Sequence, residues 1–247
     1  MCCPRLDVAD GKITSDNSRH KVFHEKTSQA GGIFDVCLMN YLAHLVLSGE
    51  ASDGMVGNFI GDAVKGAPER QVSAGIAKGV RLHRWIDGYA DAHPAARKAR
   101  ARLRPLLGRF SAVGVDLLYD HFLARNFEEL TGSGSLEIFA LETERYLASR
   151  TADMPQRSVR FFEAMVANRW LVGYATQHGM ESVCQSMDAR MEQRLGTYGT
   201  LHRLFPAAQR GGWAELEADF YQFWADIQSE RSTWKPGCVQ EQWGVHN

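Results

Sequence analysis

Apolar residues recur along the chain at the three- and four-residue spacing of an amphipathic helix, and no segment shows the alternation typical of a β-strand. In the first such segment, Tyr41, Leu42, Leu45 and Val46 form one apolar stripe. The pattern predicts helices over residues 39–48, 55–64, 72–89, 94–104, 111–130, 136–150, 158–178, 180–195 and 213–224. We therefore predict an all-α fold built as a single helical domain.

The predicted domain covers residues 39–229, because the flanking segments lack a periodic apolar face. Residues 1–38 are polar and irregular, which indicates a disordered N-terminal extension that the fold does not need. Composition turns polar again after Glu230, so we expect a loose tail over residues 230–247. The sequence has neither a signal-peptide core near its start nor an apolar run long enough to span a bilayer, and a cytoplasmic protein is expected.

Cysteine usage excludes two classes of small scaffold. The five cysteines form no C-x-x-C pair and have no regular spacing, so neither a zinc knuckle nor a disulfide framework is indicated. The sequence also lacks a G-x-S-x-G motif, a Walker loop and a G-x-G-x-x-G motif. These absences leave metal-assisted hydrolysis as the best-supported chemistry.

Four predicted helices each carry a candidate metal ligand. His83 and Asp87 stand four residues apart, which places them one turn apart on the same helix face, where both can reach one ion. Asp120 and His121 form a second pair. His44 and Asp62 lie singly on two further apolar segments, Asp62 one turn after Asn58. Nitrogen and oxygen donors without cysteine favour manganese, magnesium or iron over structural zinc.

Each of these residues also has a simpler interpretation. A lone buried histidine is more often a hydrogen-bonded core residue, and an aspartate near a turn is more often a helix cap. An internal ion-pair network with Arg81 or Arg84 is a further alternative. Asp116, one turn before Asp120, is a weaker candidate that could accept a hydrogen bond beside the site or be solvated.

Charge is distributed unevenly, although the whole chain has a formal charge of −1. Residues 63–115 contain eleven Lys or Arg and three acids, a local charge of +8. A basic face beside a candidate site indicates an anionic substrate or partner. The helix over 94–104 has five cations and no acid, so we predict a docking surface, with a solvated face as the alternative. Its residues are Arg97, Lys98, Arg100, Arg102 and Arg104.

Several short motifs, in one order, resemble the acyl carrier protein phosphodiesterases, also called acyl carrier protein hydrolases. They are Met-Asn-Tyr-Leu-Ala-His-Leu at 39–45, Gly-Asn-Phe-Ile-Gly-Asp at 57–62, His-Arg-Trp-Ile-Asp at 83–87, Asp-Ala-His-Pro at 91–94 and Tyr-Asp-His-Phe-Leu at 119–123. The resemblance extends over roughly residues 39–224 and leaves out both ends of the chain. That family is similar in its site to the HD-type metal phosphohydrolases, which are all-α proteins.

The resemblance implies hydrolysis of the phosphodiester that joins 4′-phosphopantetheine to a serine of holo-acyl carrier protein, with Mn²⁺ as the metal and Mg²⁺ or Fe²⁺ as alternatives. Carrier proteins are acidic as a class, which gives the basic segment a partner, and neither nucleic acid nor membrane is implied. The positions that match the family's His and Asp residues are His44, Asp62, His83, Asp87, Asp120 and His121.

The motif does not settle which of these residues bind metal and which act on water. We predict metal ligands among Asp62, His83, Asp87, Asp120 and His121. We predict that Asp62, Asp87 or Asp120 orients the attacking water and that a histidine, with His44 as the candidate, protonates the departing serine oxygen. Two other functions remain open: an HD-type phosphohydrolase of small phosphodiesters or nucleotides, and a non-catalytic carrier-protein or nucleic-acid binding module.

Overall fold

A computed structural model describes residues 41–196 and 199–236, without the side chains at 190, 194 and 195. The predicted extension over 1–38 and the tail from residue 237 onward lie outside the described residues. Within these ranges the chain has no β-strand, which confirms the predicted all-α class. The helices are α1 (Tyr41–Ser48), α2 (Asp53–Phe59), α3 (Ala74–Ala92), α4 (Pro94–Leu107), α5 (Ser111–Arg125), α6 (Phe127–Thr131), α7 (Leu136–Ser149), α8 (Gln156–Ala167), α9 (Trp170–Gly173), α10 (Gln177–Leu195), α11 (Leu204–Arg210) and α12 (Trp213–Thr233).

Helix α5 lies at the centre of the domain. Its residues Leu117, Leu118, Phe122 and Leu123 are buried almost completely, and α1, α4 and α12 pack around it. Helix α12 contributes large buried rings, including that of Phe220, which packs against Phe122. The described residues thus bury one continuous apolar core.

Helices α2 and α3 approach each other at backbone contact. A Cβ atom built on Gly57 would lie 1.9 Å from the carbonyl oxygen of Ile76, and one on Gly79 would lie 2.0 Å from that of Gly54. Only glycine fits at such a crossing. This contact places the end of α2 beside the middle of α3, where the candidate ligands lie.

Some element boundaries differ from the sequence predictions. Helix α4 continues past Pro105 and ends where Gly108 adopts a φ of 55°. The predicted helix 111–130 is interrupted at Asn126, and that over 158–178 is interrupted where Arg169 adopts a φ of 50°. Helix α11 was not predicted, because its seven residues contain Pro206 and too few apolar positions to show a helical period.

The last helix extends four residues beyond the predicted domain boundary at 229. It ends at Thr233, and Arg231 near its end donates a hydrogen bond from Nε to the carbonyl oxygen of Leu47 over 2.8 Å. The ring of Trp234 then packs 6.2 Å from that of Trp85. Among the described residues, no helix has both the length and the apolar composition that crossing a bilayer requires.

Candidate metal centre

Three predicted ligands converge where α2 ends against α3. Asp62 lies on the 3-10 turn Gly61–Ala63 that follows α2, and His83 and Asp87 lie one turn apart on α3. One ligand atom from each of the three falls within 4.8 Å of the others. The Nε2 atom of His83 is 3.5 Å from Oδ1 of Asp62 and 3.3 Å from Oδ2 of Asp87. The structure therefore brings together residues that are up to 25 positions apart.

His44 joins this group from α1. Its Nε2 atom is 3.4 Å from Oδ1 of Asp87, and its ring centroid is 4.8 Å from that of His83. Both imidazoles are buried, whereas the carboxylates of Asp62 and Asp87 are partly exposed. The two rings of the group are thus buried, and solvent reaches the group on the side of the two carboxylates.

Asn58 fixes the orientation of both rings. Its side-chain nitrogen donates to the carbonyl oxygen of His44 and to Oγ of Ser48, so its Oδ1 atom faces Nδ1 of His44 at 2.7 Å. The main-chain carbonyl oxygen of Asn58 lies 2.7 Å from Nδ1 of His83. Because both oxygens only accept, each Nδ1 carries the proton, and the hydrogen-bond network assigns an unprotonated Nε2 to each neutral ring.

The electrostatics of this arrangement call for a cation. The Nε2 atoms of His44 and His83 are buried and have no hydrogen-bond partner among the described residues, and their lone pairs face carboxylate oxygens. Burial by itself lowers the pKa of His83, but Asp87 and Asp62 outweigh it and hold that pKa above its ordinary value. A proton or a divalent ion between imidazole and carboxylate removes the repulsion. The imidazole of His83 and the carboxylates of Asp62 and Asp87 are suitable donors for a divalent ion of the manganese or iron kind.

The alternative of an ion-pair network with Arg81 or Arg84 is not what the structure forms. Arg81 pairs with Glu69, whose pKa it holds below the ordinary value through a hydrogen bond. Arg84 donates from Nη2 to the carbonyl oxygen of Val64 over 2.8 Å. Neither interaction neutralises Asp87.

A second arginine holds the segment that carries Asp62. Arg157, exposed on α8, donates from Nη2 to the carbonyl oxygen of Asp62 over 2.6 Å. Together with the bond from Arg84 to Val64, this contact clamps residues 62–64 from two helices. Sequence reasoning missed Arg157, because a partner 95 residues away leaves no local pattern.

The structure does not bring Asp120 and His121 into the group. Both carboxylate oxygens of Asp120 accept main-chain N–H bonds at the start of α1, from Leu42 over 3.0 Å and from Ala43 over 2.9 Å. Asp120 therefore caps α1, as the cap interpretation allowed, with each carboxylate oxygen held by a main-chain N–H group. Burial raises its pKa well above the ordinary value, against the effect of the two N–H donors.

His121 points to a different part of the core. Its Nδ1 atom donates to the carbonyl oxygen of Tyr174 over 2.6 Å, and its ring packs edge-on against Phe205 and Trp213. Burial among these groups lowers the pKa of His121. The adjacent pair at 120 and 121 thus points in two directions, since successive helix residues lie about 100° apart.

Asp116, the weaker candidate, is half-buried on α5. Burial raises the pKa of this half-buried carboxyl to about 8; Arg100 opposes that shift, whereas the charges of Asp87, Asp91 and Asp62 add to it. The charges of Asp87 and Asp62, two of the three acids, thus act on Asp116 from the metal group.

The basic helix is only partly the free surface that its sequence indicated. Arg97, Lys98 and Arg104 are exposed on α4. Arg100, however, is largely covered and bonds to Asp91 over 2.6 Å, and Arg102 pairs with Asp219 of α12 at 3.5 Å. The helix has no acid of its own, as the sequence shows, but tertiary packing supplies acids for two of its five cations.

Comparison with known proteins gives a consistent result. A family model described as acyl carrier protein phosphodiesterase matches residues 39–227. A protein of that name from Escherichia coli strain CFT073 is 29% identical over 201 residues, covering 78% of this chain and 98% of its own. Another from Photorhabdus laumondii is 31% identical over 186 residues, covering 75% and 91%. No solved structure matches, so similarity of fold to the HD-type phosphohydrolases stays a prediction.

Proposed function

The chain belongs to the acyl carrier protein phosphodiesterase family, and from that premise we propose that it hydrolyses the phosphodiester between 4′-phosphopantetheine and a serine of holo-acyl carrier protein. The products are apo-carrier protein and 4′-phosphopantetheine. The observation that carries the proposal is the pair of buried Nε2 lone pairs directed at two acids in a matched part of the chain. Such a group suits a divalent ion. The name of the relatives, acyl carrier protein phosphodiesterase, indicates that the bond cleaved is a phosphodiester.

Asp62, His83 and Asp87 would hold the metal, with Mn²⁺ preferred and Mg²⁺ or Fe²⁺ as alternatives. A bound divalent ion neutralises phosphate oxygens and lowers the pKa of water at the site. The protein's own contribution is to orient these ligands: Asn58 fixes the ring of His83, and Arg157 with Arg84 fixes the turn that carries Asp62.

His44 is the group that we assign to proton transfer. It lies against Asp87 but outside the three-residue ligand group, and Asn58 holds its ring so that only Nε2 faces the site. In the proposed reaction, water oxygen bonds to phosphorus while the bond from phosphorus to the serine oxygen breaks. A carboxylate of the pair Asp62 and Asp87 accepts the proton of the water, and protonated His44 gives a proton to the serine oxygen.

The test is direct. Protein loaded with Mn²⁺ is incubated with holo-carrier protein, and intact-mass spectrometry follows loss of one phosphopantetheinyl group and release of 4′-phosphopantetheine. We expect conversion with metal, none after chelation, and at least a hundredfold slower conversion by the His83→Ala and His44→Ala variants. A metal-loaded, folded parent that leaves holo-carrier protein unchanged contradicts the proposal. Bis(p-nitrophenyl) phosphate tests hydrolysis of a small phosphodiester alongside.

A further inference from the structure

A groove lies between the end of α4 and helix α11, away from the metal group. Its volume is about 460 Å³, and Pro105, Leu106, Pro206 and Ala207 supply its apolar surface. Ala207 is buried, Leu106 is half-buried, and both prolines are exposed. The groove thus offers an apolar floor of a size that accepts one or two aliphatic side chains.

Two arginines border this floor. Arg203 and Arg210 both line the groove and are exposed, and no carboxylate of a described residue lines it. In the described part of the chain, neither arginine has a carboxylate within salt-bridge distance, and Arg203 donates only to the ring of His202. On neighbouring turns of the basic segment, Arg104 and Arg109 are also exposed. An apolar depression bordered by Arg203 and Arg210 is complementary to an acidic, amphipathic surface.

The groove is within reach of a protein bound at the metal group. Asp91 follows Asp87 by one turn and bonds to Arg100, and six residues of α4 then lead to Leu106, a rise of roughly 9 Å. Adding the turn of α3, the contact between Asp91 and Arg100 and the rise of α4 gives an upper limit on the order of 25–30 Å for the distance from Asp87 to Leu106. A typical interface of about 800 Å² per partner is on the order of 30 Å across. One docked protein can therefore contact both places.

We propose that this groove docks an acidic amphipathic helix of the carrier-protein substrate, with an apolar side chain of that helix on the floor and its carboxylates on Arg203 and Arg210. The inference rests on the proposed function for the identity of the partner. It differs from the docking surface predicted on α4 alone, because two of that helix's cations are paired and the groove adds cations from α11 and the residues before it. The apolar floor gives the contact an orientation that exposed charges by themselves do not provide.

The experiment measures binding of apo-acyl carrier protein, which lacks the scissile group and reports docking without the reaction. Fluorescence anisotropy gives Kd for the parent, for the double variant Arg203→Glu/Arg210→Glu and for Leu106→Gln. The matched control is Arg145→Glu/Arg160→Glu, which makes the same change in net charge with exposed arginines of α7 and α8. We expect Kd to rise at least tenfold for the groove double variant at low salt, about threefold for Leu106→Gln, and less than twofold for the control.

Turnover provides the second measurement. The groove double variant should raise KM for holo-carrier protein at least tenfold while kcat and the rate with bis(p-nitrophenyl) phosphate stay within twofold of the parent. Equal weakening by both double variants, unchanged Kd in the groove variant, or no saturable binding by the parent would each overturn the docking proposal. Groove-dependent binding of apo-carrier protein by a parent that never cleaves holo-carrier protein would instead refute the proposed reaction and leave the docking site standing.

Discussion

The ring of His44 on α1 lies 4.8 Å from the ring of His83 on α3, with the Nε2 atoms of both directed at the carboxylate of Asp87. Neither nitrogen has a hydrogen-bond partner within the described residues, although both are buried. The geometry is maintained by groups outside the ligand set, among them Asn58, Gly61 and Arg157.

Replacing Asn58 should weaken metal binding without removing a ligand. Asn58→Ala leaves His44 and His83 in place but removes the amide that holds the His44 ring and Ser48. His44 in turn contacts the ligand Asp87 at 3.4 Å, and loss of such outer support of a ligand typically reduces metal affinity about 10–100-fold. Titration calorimetry with Mn²⁺ measures the change. Ser48→Ala, which removes the two hydrogen bonds of the Ser48 hydroxyl and leaves the bond from Asn58 to the His44 ring, is the control and should change affinity little. Equal affinity in Asn58→Ala and parent contradicts the prediction.

Substitution of Asp62 should affect metal binding, whereas substitution of Asp120 should affect the stability of the fold. Asp62→Ala removes a partly exposed ligand, so we expect lost Mn²⁺ binding with little change in melting temperature of the metal-free protein. Asp120→Ala leaves two buried N–H groups of α1 unsatisfied, at about 1–3 kcal/mol each, and should lower the melting temperature strongly. Elemental analysis measures the bound metal and calorimetry the melting temperature of each variant, which distinguishes a metal ligand from a helix cap. Lost metal binding in a well-folded Asp120 variant would restore that residue to the ligand set.

Gly61 should tolerate no side chain. A Cβ atom there would lie 2.1 Å from Cγ of His83, so Gly61→Ala must displace either the ring or the turn that carries Asp62. We expect Mn²⁺ affinity to fall at least tenfold, as for loss of a supporting group. Gly54→Ala is the control, because its Cβ meets only Oγ of Ser52 at 3.4 Å and alanine favours a helix. A Gly61→Ala variant with the parent's affinity would show that the ring moves freely.

Asp116 should make the metal-free protein less stable as pH rises. Its pKa in the folded state is about 8, raised from 3.8, so the folded state binds more protons than the unfolded state between these values. Stability from this group is therefore complete below about pH 4 and declines as pH rises toward 8. Asp116→Asn stays neutral and should lose less stability than the parent between pH 5 and pH 8.5 in chelator. If the melting temperatures of the two proteins change equally between pH 5 and pH 8.5, this assignment is wrong.

Arg157 should position Asp62 and not serve only as a surface charge. Arg157→Ala removes the 2.6 Å bond to the carbonyl oxygen of Asp62, and we expect about tenfold weaker Mn²⁺ binding with an unchanged melting temperature. Arg160→Ala, one turn along the same exposed face of α8, should leave affinity unchanged. Partial recovery of Mn²⁺ affinity in Arg157→Lys would indicate that the charge contributes. If Arg157→Ala and Arg160→Ala bind Mn²⁺ equally well, the contact has no positioning role.

The periodic pattern of the sequence determined the helical class and approximate position of most helices, because the spacing of apolar residues reflects burial of one face. It also determined the pair His83 and Asp87, which the helix period alone places together. His44 and Asp62 were candidates by residue type, and the resemblance of short motifs strengthened both. A chain match over residues 39–227 bears out the family.

Only the tertiary structure decided which candidates meet. The backbone contact at Gly57 and Gly79 sets Asp62 beside His83, whereas packing of α5 under α1 turns Asp120 into a cap and His121 toward Tyr174. The roles of Asn58 and Arg157, and the acids that neutralise Arg100 and Arg102, likewise depend on partners from other helices. Local periodicity fixes the direction of a side chain relative to its own helix, but which donor or acceptor it meets depends on how the helices pack.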